Sequence, residues 1–329
     1  MGWQHTKKYK KKQQKKLMKA IFGKSLSLVM VLVVLVGILL SLLYNNFEPA
    51  RDFIDSLGII QTTTTTTKKP AKNPNGDELF IHFIDVGQGD STLLQTASGS
   101  VLIDCGESEY GDDVVEYLTS QGVEELEYFI ITHPDSDHMG CAAYVLEHIK
   151  VNYFVINGKT KTAKFFEKAL DAVENRDVAL LEGRAGDVFE IGAIVIDVLG
   201  PRVDNIDSLD SNDSSLILYV SYGERRFLFT GDAEKEGEEL LLKWDKSNIK
   251  CDIFSAGHHG AKTSNSLELM MAASPKYVVI SCGAGNSYGH PTAAALSNFE
   301  KCGATVYRTD ELGTIVFVTD GNSLTLETE

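Results

Sequence analysis

Positive charge is scarce over most of this chain. Asp and Glu number 46 against 31 Lys and Arg, a formal net charge of −15, and nine of the lysines crowd into residues 1–24, where there is no acid. Removing that +9 leaves −24; residues 25–77 balance to zero, so the whole deficit sits on residues 78–329. A body this acidic repels polyanions at long range, which counts against a tight, sequence-blind nucleic-acid clamp. It leaves a phosphodiester substrate open, because bound metal reverses the sign locally. Cysteines are few and without pattern. Cys105, Cys141, Cys251, Cys282 and Cys302 are an odd number with no Cys-x-x-Cys, which indicates neither a zinc knuckle nor a disulfide framework and reads as small buried hydrophobes. Long-period repeats are also missing. Disorder throughout is excluded by an ordinary 43% hydrophobic and 9% aromatic content.

One stretch has no charge at all. Ser25–Tyr44, SLSLVMVLVVLVGILLSLLY, has the length of about 20 residues that spans a bilayer core. Its lysine-rich flank predicts a cytoplasmic N-terminus. The alternative is a cleaved signal peptide, whose apolar run is only about 7–15 residues and precedes small residues; here Asn45-Asn46-Phe47 follows. The expected order is a basic cytoplasmic tail over 1–24, a single-pass anchor over 25–44, a Thr/Lys/Pro-rich linker over 45–77, and a folded domain over 78–329 outside the cytoplasm at the cell membrane. The linker holds Thr62 to Thr67 and Asn73-Pro74-Asn75-Gly76 and has no apolar periodicity.

From Glu78 onward, short β-rich runs alternate with helical ones. Strands are expected at 79–86, 91–96, 101–103, 128–132, 151–156, 194–199, 216–222, 225–230, 253–256, 277–281, 305–308, 314–319 and 323–326. Helices are expected at 112–120, 141–149, 162–176, 233–244, 266–273 and 292–301. Two mixed sheets with helices outside would bury strands of this apolar kind.

Polar clusters sit where these strands end. THPDSDHMG places His133, Asp135, Asp137 and His138 straight after an apolar strand, which Pro134 makes the chain leave abruptly. Alone, such a loop reads as a turn. FTGD ends another strand at Asp232, which would also cap a helix; SAGHHG brings His258 and His259; NSYGHP brings His290. Five of the eight histidines (133, 138, 258, 259, 290) thus lie at strand-to-helix junctions, which gather on one face of α/β folds. That convergence supports a metal site better than any single motif.

In order, HFIDVGQGDSTLL (82–94), LIDCG (102–106), THPDSDHMG (132–140), NDSSLIL (212–218), LFTGD (228–232), GHHGAKTS (257–264), YGHP (288–291) and YRTDELG (307–313) resemble the metallo-β-lactamase-fold domain of ComEC-type competence proteins, over residues 79 to 319. The resemblance implies a four-layer αββα sandwich, an α/β fold with a dinuclear metal site between the sheets. It assigns His133 and Asp135 to one metal, Asp137 and His138 to the other, and Asp232 to the bridge. His258 is the chosen further ligand, with His259 as the alternative. The wider superfamily has another His between these motifs; here Asn212-Asp213-Ser214-Ser215 occupies that region.

The superfamily's usual pattern is H-x-H-x-D-H, and Asp135 stands at its second His. A set that is half oxygen suits Mn²⁺ as well as Zn²⁺, and two such ions are expected. Two ions about 3.5–4 Å apart would activate water and stabilise both oxygens of an in-line displacement at phosphorus. The leading expectation is therefore a metal-dependent hydrolase acting on a phosphodiester, DNA among the possible substrates. Asp137 and His290 are the catalytic candidates, His290 contacting substrate or protonating the leaving group beside Tyr288 and Asn286. Lys262 and Ser264 are placed to bind phosphate, and Asp85, Asp90, Asn212 and His259 to contact substrate or orient ligands. Two other classes stand beside this one: a hydrolase of cell-envelope phosphodiesters or of a small acyl or lactam compound, and a metal-binding interaction module without turnover.

Overall fold

A computed structural model of the protein describes Gly76 and residues 78–327. The expected basic tail, anchor and all of the linker except Gly76 lie outside the described residues. Among the described residues no helix is long and apolar enough to cross a membrane.

Two sheets face each other. The first contains β1 (Leu79–Phe83), β2 (Thr92–Thr96), β3 (Gly99–Ile103), β4 (Glu125–Ile130), β5 (Lys150–Ile156), β6 (Ala179–Glu182), β14 (Ile315–Thr319) and β15 (Leu324–Leu326), in the order β15-β14-β1-β2-β3-β4-β5-β6. The second contains β7 (Val188–Ile191), β8 (Ile194–Gly200), β9 (Ile217–Tyr222), β10 (Arg225–Phe229), β11 (Ile253–Ser255), β12 (Tyr277–Ile280) and β13 (Thr305–Arg308), in the order β13-β12-β11-β10-β9-β8-β7. Strand alternation makes the core between them. In β1, Leu79, Ile81 and Phe83 point into the inter-sheet layer, while Phe80 and His82 face the other way. Phe83 stacks on Phe229 with ring centroids 6.1 Å apart and meets Phe317 edge-on at 6.5 Å. Because the outer face is covered too, all five β1 residues are buried.

The helices close those outer faces. On the first sheet lie α1 (Gly111–Ser120), the short α2 (Ser136–Met139), α3 (Ala142–His148) and α4 (Lys164–Asn175). In α4, Phe166, Ala169, Ala172 and Val173 recur at helical spacing and form its buried stripe. On the second sheet lie α5 (Lys235–Asp245), α6 (Leu267–Ala273) and α7 (Ala293–Cys302), and α8 (Thr309–Leu312) follows β13. The expected αββα layering is thus observed.

Parallel pairing is what places the site. β3, β4, β5 and β6 run parallel, as do β10, β11, β12 and β13. Each parallel step needs a crossover connection, here built around a helix, so the loops leaving the carboxyl ends of these strands collect on one face. Two strands escape sequence inspection, β6 and β7. Both are edge strands only four residues long; β6 has three exposed residues and no burial period, and β7 alternates exposed and buried but only twice, too briefly to stand out. The expected strand 79–86 stops at Phe83 because Asp85 turns the chain: its Oδ1 accepts from the Gly87 amide at 3.1 Å.

Candidate metal centre

The loops after β3, β4, β10, β11 and β12 bring Asp104, the 132–138 segment, Asp232, the 257–260 turn and Ser281 together. Asp104 is the hub on the first sheet. It is fully buried, with a left-handed backbone at φ 55°. Its Oδ1 accepts from the Thr132 amide at 2.8 Å; its Oδ2 accepts from the Thr132 hydroxyl at 2.8 Å and from His138 Nδ1 at 2.9 Å. The Thr132 hydroxyl, spent on Asp104, offers its lone pair to His133 Nδ1 at 3.2 Å. On the second sheet His259 Nδ1 donates to the Ser281 carbonyl at 3.0 Å. Nδ1 of each ring is thereby engaged as a donor away from the centre, which leaves Nε2 to face it.

Those Nε2 atoms converge on Asp232. His138 Nε2 lies 3.0 Å from Asp232 Oδ1 and His259 Nε2 3.9 Å from it; His133 Nε2 lies 3.8 Å from Oδ2. Asp137 Oδ2 sits 3.1 Å from His259 Nε2. Asp90, His138, Asp232 and His259 each offer a donor atom, and these lie within 4.8 Å of one another. The chain reaches this packing only with small residues. At Gly231 (φ +51°) a Cβ would come within 2.9 Å of both Ser215 Cβ and Thr132 Oγ1. At Gly89 it would come within 2.5 Å of the Asp137 carbonyl.

Burial and charge oppose each other here. Burial lowers the His133 pKa to about 4, with the neighbouring His138 adding to the effect, so this ring is neutral. At His138 burial acts in the same direction, but Asp232 and Asp104 outweigh it and hold the ring well above the ordinary value. His259 is raised likewise against its burial, chiefly by Asp232. Asp137 and Asp232 are both held low: burial opposes ionisation, and the surrounding imidazoles overcome it. Yet His133 Nε2, His138 Nε2, Asp232 Oδ1 and Asp90 Oδ1 are buried without a hydrogen-bond partner among the described residues; the 3.0 Å approach of His138 to Asp232 lacks hydrogen-bond alignment. Each such atom costs about 1–3 kcal/mol if nothing satisfies it. Divalent metal bound here would satisfy such atoms, so this donor set of imidazole nitrogens and carboxylate oxygens fits the metal the motifs call for.

Around the group lies a cleft of about 210 Å³, walled by Gln88, Glu107, Asp135, Ser136, Asp137, Asn212, Asp232, His258, His259, Tyr288 and His290. Two larger depressions, of about 630 and 650 Å³, contain no histidine and carry no comparable chemistry.

Several expected roles shift. His259, not His258, enters the tight group. Both residues have left-handed backbones, φ 50° and 53°, and their rings diverge by 74°. His258 therefore lines the cleft, with Nε2 3.6 Å from Asp232 Oδ2 and Nδ1 3.1 Å from Glu234. Asp90 joins the group itself, whereas Asp85 is exposed and shapes its own turn. Asp135 lines the cleft but stands outside the group of four; its Oδ1 receives Lys161 Nζ at 2.6 Å and the Ser211 hydroxyl. Asn212 reaches the cleft and donates to Glu234 at 3.3 Å. His290 and Tyr288 also line it; the Tyr288 ring stacks on His290 at 5.8 Å and is 69% exposed. Asn286 instead builds the loop, accepting from the His290 amide at 3.0 Å. Lys262 is exposed and Ser264 buried, and neither lines the cleft. Sequence reasoning missed Asp104, Glu234, Lys161 and Ser211. Asp104 alone left a signal, as an acid directly after a buried strand.

The family model for the metallo-beta-lactamase superfamily matches residues 84–284. ComE operon protein 3 of Bacillus subtilis (strain 168) is 36% identical over 255 residues, covering 72% of this chain and 32% of that protein. Competence protein ComA of Neisseria gonorrhoeae is 31% identical over 244 residues, covering 73% of this chain and 32% of that protein. The chain thus spans about a third of the length of these relatives. Among solved structures, the metallo-beta-lactamase fold protein YhfI from Bacillus subtilis aligns at 12% identity over 73% of this chain and 100% of its own, with a TM-score of 0.49. The chain belongs to the metallo-beta-lactamase superfamily, and its homologues are the ComEC-type competence proteins.

Proposed function

We propose that the protein is a metal-dependent hydrolase of phosphodiesters, held at the cell surface by a single span over residues 25–44 with domain 78–329 outside. The observation that carries the chemistry is the convergence of buried, unpaired imidazole and carboxylate atoms on Asp232 at the floor of an open cleft. A divalent ion, Mn²⁺ or Zn²⁺, supplies water activation and charge stabilisation at phosphorus when bound there. The chain's own residues do the rest. Asp104 and the Ser281 carbonyl orient His138 and His259. Asp137 and Asp232 hold the negative charge that retains the cation. His290, whose pKa is lowered by burial and by the nearby His258, is neutral at pH 7 and lines the cleft, where its ring would accept a proton from the attacking water and pass it to the leaving group. A polar, carboxylate-rich cleft suits phosphoryl oxygens bridged by a cation better than an apolar acyl group. The relatives' names, competence protein and recombination protein, point to DNA as one substrate. The acidic body favours short or single-stranded substrate over a long duplex.

The test is the purified full chain, loaded with Mn²⁺ or Zn²⁺ and assayed on bis-p-nitrophenyl phosphate, single-stranded DNA and a chromogenic β-lactam. Phosphodiester cleavage that Asp232→Asn lowers at least a hundredfold is expected. Cleavage of the lactam alone, or inertness with metal bound, overturns the reading. Protease protection of residues 1–24 in sealed cells, with degradation of 78–329, checks the topology.

A further inference from the structure

We infer that the centre holds one tightly bound divalent ion, on the side formed by Asp90, His138, Asp232 and His259 with Asp137 beside them, and that Lys161 pairs with Asp135 where a second ion would otherwise sit. The inference rests on the cation-dependent reading of the cleft and concerns how many ions it is built for.

Among the described residues the group whose donor atoms lie within 4.8 Å of one another is Asp90, His138, Asp232 and His259. Asp137 stands beside it, with Oδ2 3.1 Å from His259 Nε2. On the other side of Asp232 the distances to the carboxylate are similar, but the set lacks a free carboxylate. His133 Nε2 and His258 Nε2 stand 3.8 and 3.6 Å from Oδ2, and His258 is turned toward Glu234. The carboxylate that would complete a second position is already engaged: Asp135 Oδ1 takes Lys161 Nζ at 2.6 Å and the Ser211 hydroxyl. No histidine occurs between His148 and His258 to replace it.

The pairing is built into the fold. Lys161 follows β5, whose end is stitched to the segment that carries Ser211. Lys159 Nζ donates to the Leu209 carbonyl at 2.6 Å, and Asn157 Nδ2 to the Ser214 carbonyl at 2.8 Å. An ammonium so placed cancels the charge of Asp135, removes the local demand for a second divalent ion, and repels one that approaches. Lys161 is a positioning residue: it acts through Asp135 and the local charge.

Ion content decides the matter without an activity assay. The full chain is stripped with EDTA, titrated with Mn²⁺ by calorimetry, and examined by electron paramagnetic resonance. The wild type is expected to bind one ion per chain with the signal of an isolated Mn²⁺. Lys161→Met is expected to bind two, the second at least tenfold more tightly than any second ion in the wild type, with a spin-coupled signal. Lys161→Arg keeps the positive charge and stays at one. Lys161→Gln, a milder change, serves if circular dichroism shows Lys161→Met misfolded. Two ions of comparable affinity in the wild type, or one ion in every folded variant, overturns the inference while leaving the hydrolase reading intact. No bound ion at all overturns that reading and this inference with it.

Discussion

Asp104 never faces the cleft, yet it sets the tautomer and aim of His138 and, through Thr132, of His133. Asp104→Asn keeps the shape but can present an amide N–H to His138 Nδ1, which turns the ring's proton toward the centre. Mn²⁺ affinity is expected to fall about 10–100-fold, as losses behind a ligating histidine do. Unchanged affinity in a calorimetric titration would refute this role. The two histidines of the GHHG turn separate by the same measurement. His259→Ala should weaken binding far more than His258→Ala, because only His259 sits in the buried group. Equal losses would show that both contribute to one ion. Adjacent letters did not reveal this difference. It arises because two successive left-handed residues send their rings apart, and that is a property of backbone angles.

Elements act here by presenting their ends. Helix α5 is the clearest case, since its Glu238 accepts the amides of Asn265 and Ser266 and so pins the chain that follows the GHHG turn. Asn265 in turn holds Gly257, accepting its amide at 2.8 Å and donating to its carbonyl at 2.8 Å. Burial raises the Glu238 pKa from 4.5 to about 7. The folded state therefore binds more proton than the unfolded state between those values, and stability falls as pH rises from 4.5 to 7. The shift corresponds to about 3 kcal/mol at full ionisation. Glu238→Gln is expected to remove that decline in urea unfolding followed across this range; an unchanged slope would mean that another group titrates. His82, on the outer face of β1, works in the opposite sense. Burial lowers its pKa to about 3, so the stability of its neutral form is lost as pH falls below 6.5. Period-2 and period-3.6 patterns made most strands and helices legible, β1 and α4 among them. The short edge strands β6 and β7 were not legible, because four residues hold too few alternations to mark a strand.

At the scale of the whole molecule the centre is a cross-link. Asp104, Asp137 and His138 come from loops of the first sheet, Asp232 and His259 from loops of the second. A bound ion therefore ties the two halves of the sandwich and binds only the folded state. At a hundredfold excess over Kd it should add about 2.7 kcal/mol. For a domain of this size that is about 5–10 °C in Tm. Calorimetry with and without EDTA checks this, and an unchanged Tm would place the ion elsewhere or nowhere.

The order of motifs, two mixed sheets with helices outside, and the gathering of carboxylates and imidazoles at strand ends were determined by the amino-acid sequence alone, because residue type, apolar period and strand-end position are local properties; the four-layer αββα class followed from the resemblance those motifs carry. Which of the two adjacent histidines enters the group, that Asp90 belongs to it, and that Asp135 is claimed by Lys161 were decided only in the tertiary structure. Those outcomes depend on distances between groups far apart in the chain: 26 positions separate Asp135 from Lys161, and 122 separate Asp137 from His259. No local pattern encodes where two sheets bring such atoms to rest.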